Sequence, residues 1–148
     1  MWIVFEGLDK SGKGTLELET LKATNFKHII IDRGPVGYMV FDGLFNRVTK
    51  EGDKQFARNI RTMINNKEDF LVVYCHAPAD VALKRIEEHN ETCPYDYEYA
   101  QGLYSEGIVK LYVMYDMNVL SIDTTKPIEE CVQMIIKKIQ EVSKSECN

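Results

Sequence analysis

Four short runs of aliphatic and β-branched residues punctuate the chain: Trp2 to Phe5, His28 to Asp32, Phe70 to Cys75 and Asn118 to Ile122. Each is apolar without strict alternation, the pattern of strands buried by helices on both faces of a sheet. Between them the period lengthens to three or four. Leu18 and Leu21 predict a helix over Gly14 to Thr24, and Asn25 and Phe26 turn the chain into the second strand. Val36, Val40, Leu44 and Val48, then Phe56, Ile60, Met63 and Ile64, predict two helices separated by Glu51-Gly52-Asp53, with Asp53 as the cap of the second. Pro78 opens a helix carrying Val81, Leu83 and Ile86, and the polar stretch Glu87 to Cys93 predicts a mobile loop. Asp96 starts another long helix, and Thr125-Lys126-Pro127 starts the last, whose Ile128, Cys131, Val132, Ile135 and Ile139 form one stripe. Strands alternating with crossover helices predict an α/β fold of three layers, a small parallel sheet of about four strands flanked by helices.

At 148 residues, 45% hydrophobic and 28% charged, the chain suits one domain over residues 1–148, and it contains no internal repeat. No apolar run approaches the roughly 20 residues that span a bilayer, so no membrane partner is expected. A formal net charge of -5 argues against a broad grip on a nucleic-acid duplex but leaves room for a pocket taking a small anion. Cys75, Cys93, Cys131 and Cys147 lack paired spacing, and His28, His76 and His89 add no metal-ligand pattern, so structural zinc is not expected. Glu6 interrupts the first apolar run too early for a secretory signal, which points to a cytoplasmic protein with free thiols.

The strongest chemical signal follows the first strand. Gly7 and Gly12 bracket four residues, Lys13 follows, and a helix begins, the spacing of a phosphate-binding P-loop. Glycines let backbone amides approach phosphate oxygens, the helix end adds partial positive charge, and Lys13 can bridge the outer phosphates of ATP. Gly7, Lys10, Ser11, Gly12, Lys13, Gly14 and Thr15 are therefore the candidate ATP-binding residues. The strict motif places a hydroxyl directly after the lysine; here Gly14 stands there and Thr15 is displaced by about 100° around the helix. Thr15 is expected to hold magnesium through water, with other groups as direct ligands. Asp32 and Arg33 end the second strand, where ligands of open α/β sheets gather. Asp32 is the second candidate metal ligand or the group that orients an acceptor, and Arg33 is the candidate fork for a phosphoryl group. Lys13, Asp32 and Arg33 form the candidate catalytic set.

Phe5-Glu6-Gly7-Leu8-Asp9-Lys10-Ser11-Gly12-Lys13 resembles the loop of thymidylate kinases, and Asp32-Arg33 followed by Phe41 and Gly43 resembles their Asp-Arg segment. Pro78, Ala82, Leu83 and Arg85, the segment from Tyr95 to Gln101, and Val119 to Asp123 before Pro127-Ile128-Glu129-Glu130 are also similar to thymidylate and deoxynucleoside kinases. The resemblance implies the P-loop fold of nucleoside monophosphate kinases, with ATP and magnesium as co-substrate and transfer of the γ-phosphate to a deoxynucleoside monophosphate. It places Asp9 near the acceptor, Lys10 as the basic loop residue, Arg85 near the adenine or phosphates, and a lid over residues 87–96.

Only Leu16 to Lys27 stand where that family carries a strand and helices shaping the acceptor pocket. Candidate substitutes are Arg47, Arg58 and Arg61, the last two on one helix face, together with Tyr95, Tyr97 and Tyr99 for stacking. A shortened acceptor region also suits a deoxynucleoside or a polynucleotide 5′-hydroxyl acceptor, the latter presenting a single-stranded end. A regulatory subunit that binds nucleotide without turnover is the reading from a different class. The apolar faces between Val36 and Ile64 serve either core or a homodimer interface.

Overall fold

A computed structural model of the protein describes residues 1–145. Its four strands, β1 (Trp2–Glu6), β2 (Ile29–Asp32), β3 (Phe70–His76) and β4 (Val119–Asp123), form one parallel sheet in the order β2-β1-β3-β4. The register sets Phe5 beside Asp32, Glu6 beside Tyr74, and His76 beside Asp123, so the carboxyl ends of all four strands finish along one rim.

Alternation along the strands divides the core in two. Ile3, Phe5, Leu71, Val73 and Ile122 face one way, against Leu16 of α1 (Lys13–Ala23) and Cys131, Ile135 and Ile139 of α6 (Ile128–Ser145). Val4, Val72 and Tyr74 face the other. That side is covered by Val36 and Val40 of α2 (Pro35–Leu44), Met63 of α3 (Lys50–Asn65), Ile86 of α4 (Ala79–Glu88), and Tyr104 and Ile108 of α5 (Tyr97–Tyr115). Of the apolar positions between Val36 and Ile64, Val36, Val40, Phe41 and Met63 are buried in the core, with Leu44, Ile60 and Ile64 packed against them.

Five features differ from the sequence pattern. β2 is an edge strand, hydrogen-bonded on one side only, and Ile29 is 51% exposed. Helix α2 stops at Leu44, because Phe45 and Asn46 leave the helical conformation, and Val48 faces solvent. Helix α3 begins one turn before Asp53: Thr49 is extended and its hydroxyl accepts from the Gly52 amide at 3.0 Å, which places Glu51-Gly52-Asp53 in the first turn. Thr125 donates to Asp123 Oδ1 and closes a turn, so α6 starts later, at Ile128. Leu83 and Ile128, members of the apolar patterns, are both more than 40% exposed. Replacing Thr49 with alanine is expected to cost about 1 kcal/mol, read as a lower urea midpoint at unchanged m-value.

Among the described residues no helix is long and apolar enough to cross a membrane. Cys75, Cys93 and Cys131 are free thiols, and Cys147 lies outside the described residues.

Candidate active site

The segment between β1 and α1 closes on itself through backbone conformations that side chains resist. Gly7 has φ 152°, and a Cβ there would collide with the carbonyl of Cys75 on β3. Gly12 has φ 88°, and its Cβ would stand 2.9 Å from that of Thr124. Lys10 also adopts a positive φ of 57°. Helix α1 then starts without a capping side chain and without an acidic residue in its first turn, so its N-terminal amides are open to an anion.

Residues distant in sequence hold this loop by its carbonyls. Thr124, just beyond β4, donates to Ser11 O at 2.6 Å. Arg85 of α4 donates to Lys10 O at 3.1 Å and to Thr124 O at 3.0 Å, and Tyr97 of α5 donates to Asp9 O at 3.1 Å. Arg85 thus braces the phosphate loop. Tyr97 is buried, with its hydroxyl under Asp9 rather than facing open space.

Lys13 spans from α1 to the end of β2, where its ammonium pairs with Asp32; it also lies 3.5 Å from Glu17, one helical turn along α1. Burial raises Asp32, but its hydrogen bond and Coulomb attraction to Lys13 outweigh that and hold the carboxyl below its ordinary range. Glu17 is raised, chiefly by burial, against the attraction of Lys13. Glu17 escaped the sequence analysis; its signal was the i,i+4 spacing from the P-loop lysine.

Arg33 has a left-handed φ of 63°, a strained value that turns its side chain from the sheet towards the loop. Its guanidinium lies 4.1 Å from the Phe41 ring centroid and donates to Asp9 at 3.4 Å. Asp9 also accepts from the Tyr95 hydroxyl at 3.0 Å. Phe41, Phe45 and Tyr95 form an aromatic group around this pair, with Tyr95 edge-on to both phenylalanines.

Beneath the site lies Glu6, fully buried. It accepts from the amides of Val36 at 2.9 Å and Gly37 at 3.0 Å, and from the Tyr104 hydroxyl at 2.5 Å. These bonds dock the start of α2, and with it Arg33, against the end of β1. Burial pushes Glu6 up to about 7 despite four donors, Tyr104 and the amides of Gly37, Val36 and Gly34, that favour its anion. A lone glutamate closing an apolar strand carried no signal of this role in the sequence.

A pocket of about 480 Å³ runs over the loop, lined by Lys10, Lys13, Gly14, Thr15, Arg85 and Lys126 among others. A larger groove of about 890 Å³ between α5 and β4 has Glu98 and Asp123 on its walls and no lysine or arginine, which makes it the poorer phosphate site. Lys10 pairs with Glu91 at 3.1 Å, tying residues 87–96 to the loop, although α4 continues as far as Glu88. The remaining candidates lie apart. Arg58 and Arg61 are exposed on α3, while Asn59, Thr62 and Met63 of the same helix face the sheet-side pocket. Arg47 pairs with Asp42 at 3.7 Å and lies 5.2 Å from the Phe45 ring centroid. Tyr99 is 61% exposed.

The fold as a whole is similar to that of solved structures. A YorR protein from Bacillus subtilis, in complex with phosphorylated GDP, superposes with a TM-score of 0.73 at 19% identity, covering 95% of this chain and 96% of that one. Deoxyadenosine kinase from M. mycoides with bound dCTP gives a TM-score of 0.67 at 14% identity, over 95% and 100% of the two chains. The same kinase with its products dCMP and dCDP gives 0.60 at 18% identity, with the same coverage. The chain shares its α/β fold, a four-stranded parallel sheet flanked by helices, with these kinases. No protein-family model matches the sequence, and no curated protein matches it.

Proposed function

We propose that the chain, as one kinase domain over residues 1–148, is an ATP-dependent nucleotide kinase that transfers the γ-phosphate to a deoxynucleoside 5′-monophosphate. The observation that carries this is the convergence of the P-loop lysine Lys13 with Asp32 and Arg33 at the rim of the sheet. In the reaction an acceptor phosphate oxygen attacks the γ-phosphorus while the bond to the ADP oxygen breaks. That acceptor is already ionised near neutral pH, so the protein must mainly position it and neutralise charge. Lys13, Lys10 and the open amides of α1 serve the ATP phosphates, and Arg33 and Asp9 serve the acceptor end.

Asp32 and Thr15 offer hard oxygen donors of the kind magnesium takes, and the donor chemistry fits. No cluster of three or more His, Cys, Asp or Glu side chains gathers among the described residues, so phosphates and water would complete the coordination. When bound, magnesium neutralises phosphate charge.

A hydroxyl acceptor requires a free carboxylate base. Asp32 is held low by Lys13, and Asp9 is engaged by both Arg33 and Tyr95, which favours the monophosphate. The second reading, a deoxynucleoside kinase, is favoured by the fold likeness and by Glu17, a raised carboxylate beside Lys13. Labelled ATP offered with deoxynucleoside monophosphates, free deoxynucleosides and 5′-hydroxyl oligonucleotides separates the readings. Transfer to monophosphates that survives Glu17→Gln within about tenfold is the expected result. Transfer to free nucleosides that falls more than about 10²-fold in that variant would establish the second reading. ATP binding without any transfer would mean a regulatory subunit.

A further inference from the structure

Strand β2 leaves one side of its backbone unused. The Ile29 amide donates to Met1 O at 3.3 Å and the Arg33 amide to Phe5 O at 3.0 Å, and Ile31, opposite Val4, stands in the same phase. In a trans peptide the carbonyl points away from the amide that follows it. The carbonyls of His28, Ile30 and Asp32 and the amides of Ile30 and Asp32 therefore point away from β1, to the side where no strand lies among the described residues. The short connection between α1 and β2 thus leaves a bare edge at the margin of the sheet.

Ile29-Ile30-Ile31 holds no lysine, no proline and no bulge, the features that commonly keep edge strands of different molecules apart. Ile29 is half exposed, and Phe26, just before the strand, is 68% exposed while held in a left-handed conformation at φ 57°. Phe26 bears that backbone strain without gaining burial within one copy. The charges that flank the isoleucines are opposite in sign: Lys27 and His28 precede them and Asp32 follows. Run antiparallel, the segment is complementary to itself.

We infer that two copies of this chain pair antiparallel through β2, about a two-fold axis at Ile30, to make one continuous sheet. In that register Ile30 exchanges both backbone bonds with Ile30 of the partner subunit, and the Asp32 amide donates to the carbonyl of the partner's His28. Moving the axis to Ile29 or Ile31 leaves Asp32 or His28 without a ladder partner, so one register is favoured. Ile29 then faces the partner's Ile31. Arg33, which a longer strand would set against the partner's Lys27, is turned out of line by its left-handed φ of 63°. Side chains alternate along a strand, so those of His28, Ile30 and Asp32 share the α1 side, where Asp32 holds Lys13. The pairing therefore brings the partner's His28 to the carboxylate that positions the P-loop lysine. It does not depend on the kinase reading.

Sedimentation equilibrium at micromolar concentration reads the mass directly, and the parent protein is expected at twice the 17.1 kDa of one chain. Ile29→Lys sets an ammonium against the partner's Ile31 from a position already half exposed, and is expected to sediment as one chain with unchanged circular dichroism. His28→Ala removes two equivalent opposite-charge pairs and is expected to raise the dimer Kd about tenfold. Position 30 lies on the axis, where a hydrogen-bonded antiparallel pair has its Cα atoms about 5.5 Å apart, within the span of a disulfide. Mild oxidation of Ile30→Cys is expected to give a covalent dimer on a non-reducing gel. The parent protein and Ser121→Cys, exposed on the opposite edge strand β4, are expected to stay as single chains.

Parent protein at any mass other than that of two chains would overturn the pairing. So would a dimer that Ile29→Lys leaves intact, or one in which Ile30→Cys is not linked in preference to Ser121→Cys. Should Ile29→Lys fail to fold, the Ile30→Cys cross-link decides alone. None of these measurements uses phosphoryl transfer, so the pairing and the kinase reading stand or fall separately.

Discussion

Replacing Lys13 with alanine is expected to lower kcat for phosphoryl transfer about 10³-fold, measured with labelled ATP at saturating concentrations of both substrates. The size follows from what the ammonium does at the rim of the sheet. It spans from α1 to the end of β2, held there by Asp32 and Glu17. When ATP arrives, the phosphates offer that ammonium a larger negative charge than the two carboxylates do. Without it the developing charge faces Asp32 and Glu17, both acidic, and the loop amides alone. Lys13→Arg is not expected to restore the rate, since a planar fork does not occupy the place of a compact ammonium. A kcat within tenfold of the parent in Lys13→Ala would remove Lys13 from the chemistry and the P-loop assignment with it.

The second large effect is on stability. Glu6→Ala leaves the amides of Val36 and Gly37 and the Tyr104 hydroxyl without their acceptor, and opens a void beneath the loop. The expected cost is about 3 kcal/mol or more, read by chemical denaturation. Its pH dependence has a definite sign. Glu6 keeps its proton to about pH 7 in the folded protein against an ordinary value of 4.5, so the folded state is the stronger proton binder between those limits. The stability contributed is complete below about pH 4.5 and drains away as pH rises to about 7. Glu6→Gln, which cannot ionise, is therefore expected to gain on the parent protein from pH 5 to pH 8 in melting temperature. A difference that is constant across that range would show that Glu6 titrates normally.

The layers of this fold were legible because its strands are short apolar runs and its helices repeat every three to four residues. Such periods survive without tertiary information. The boundaries that moved did so for local reasons. Thr49 caps earlier than Asp53 because an extended threonine already satisfied the Gly52 amide, and Val48 fell outside α2 because the helix ended on Phe45. The phosphate loop was legible because glycine spacing encodes backbone shape directly. Arg58 and Arg61 drew attention through charge, yet both are exposed on α3 and neither lines the pocket over the loop. Glu6 was silent because a carboxylate acquires its meaning from burial and from partners 30 to 98 positions away, and Glu17 showed only its i,i+4 spacing from Lys13.

The braces on the phosphate loop have a consequence for the order in which the protein becomes competent during synthesis. Ser11, Lys10 and Asp9 are translated well before the residues that hold their carbonyls, Thr124, Arg85 and Tyr97, between 75 and 113 positions later. A nascent chain halted before β4 carries every letter of the motif and lacks the clamp that shapes it. On the kinase reading, nucleotide affinity is therefore a late acquisition, arriving only once Thr124 has left the ribosome and closed over a loop translated before it.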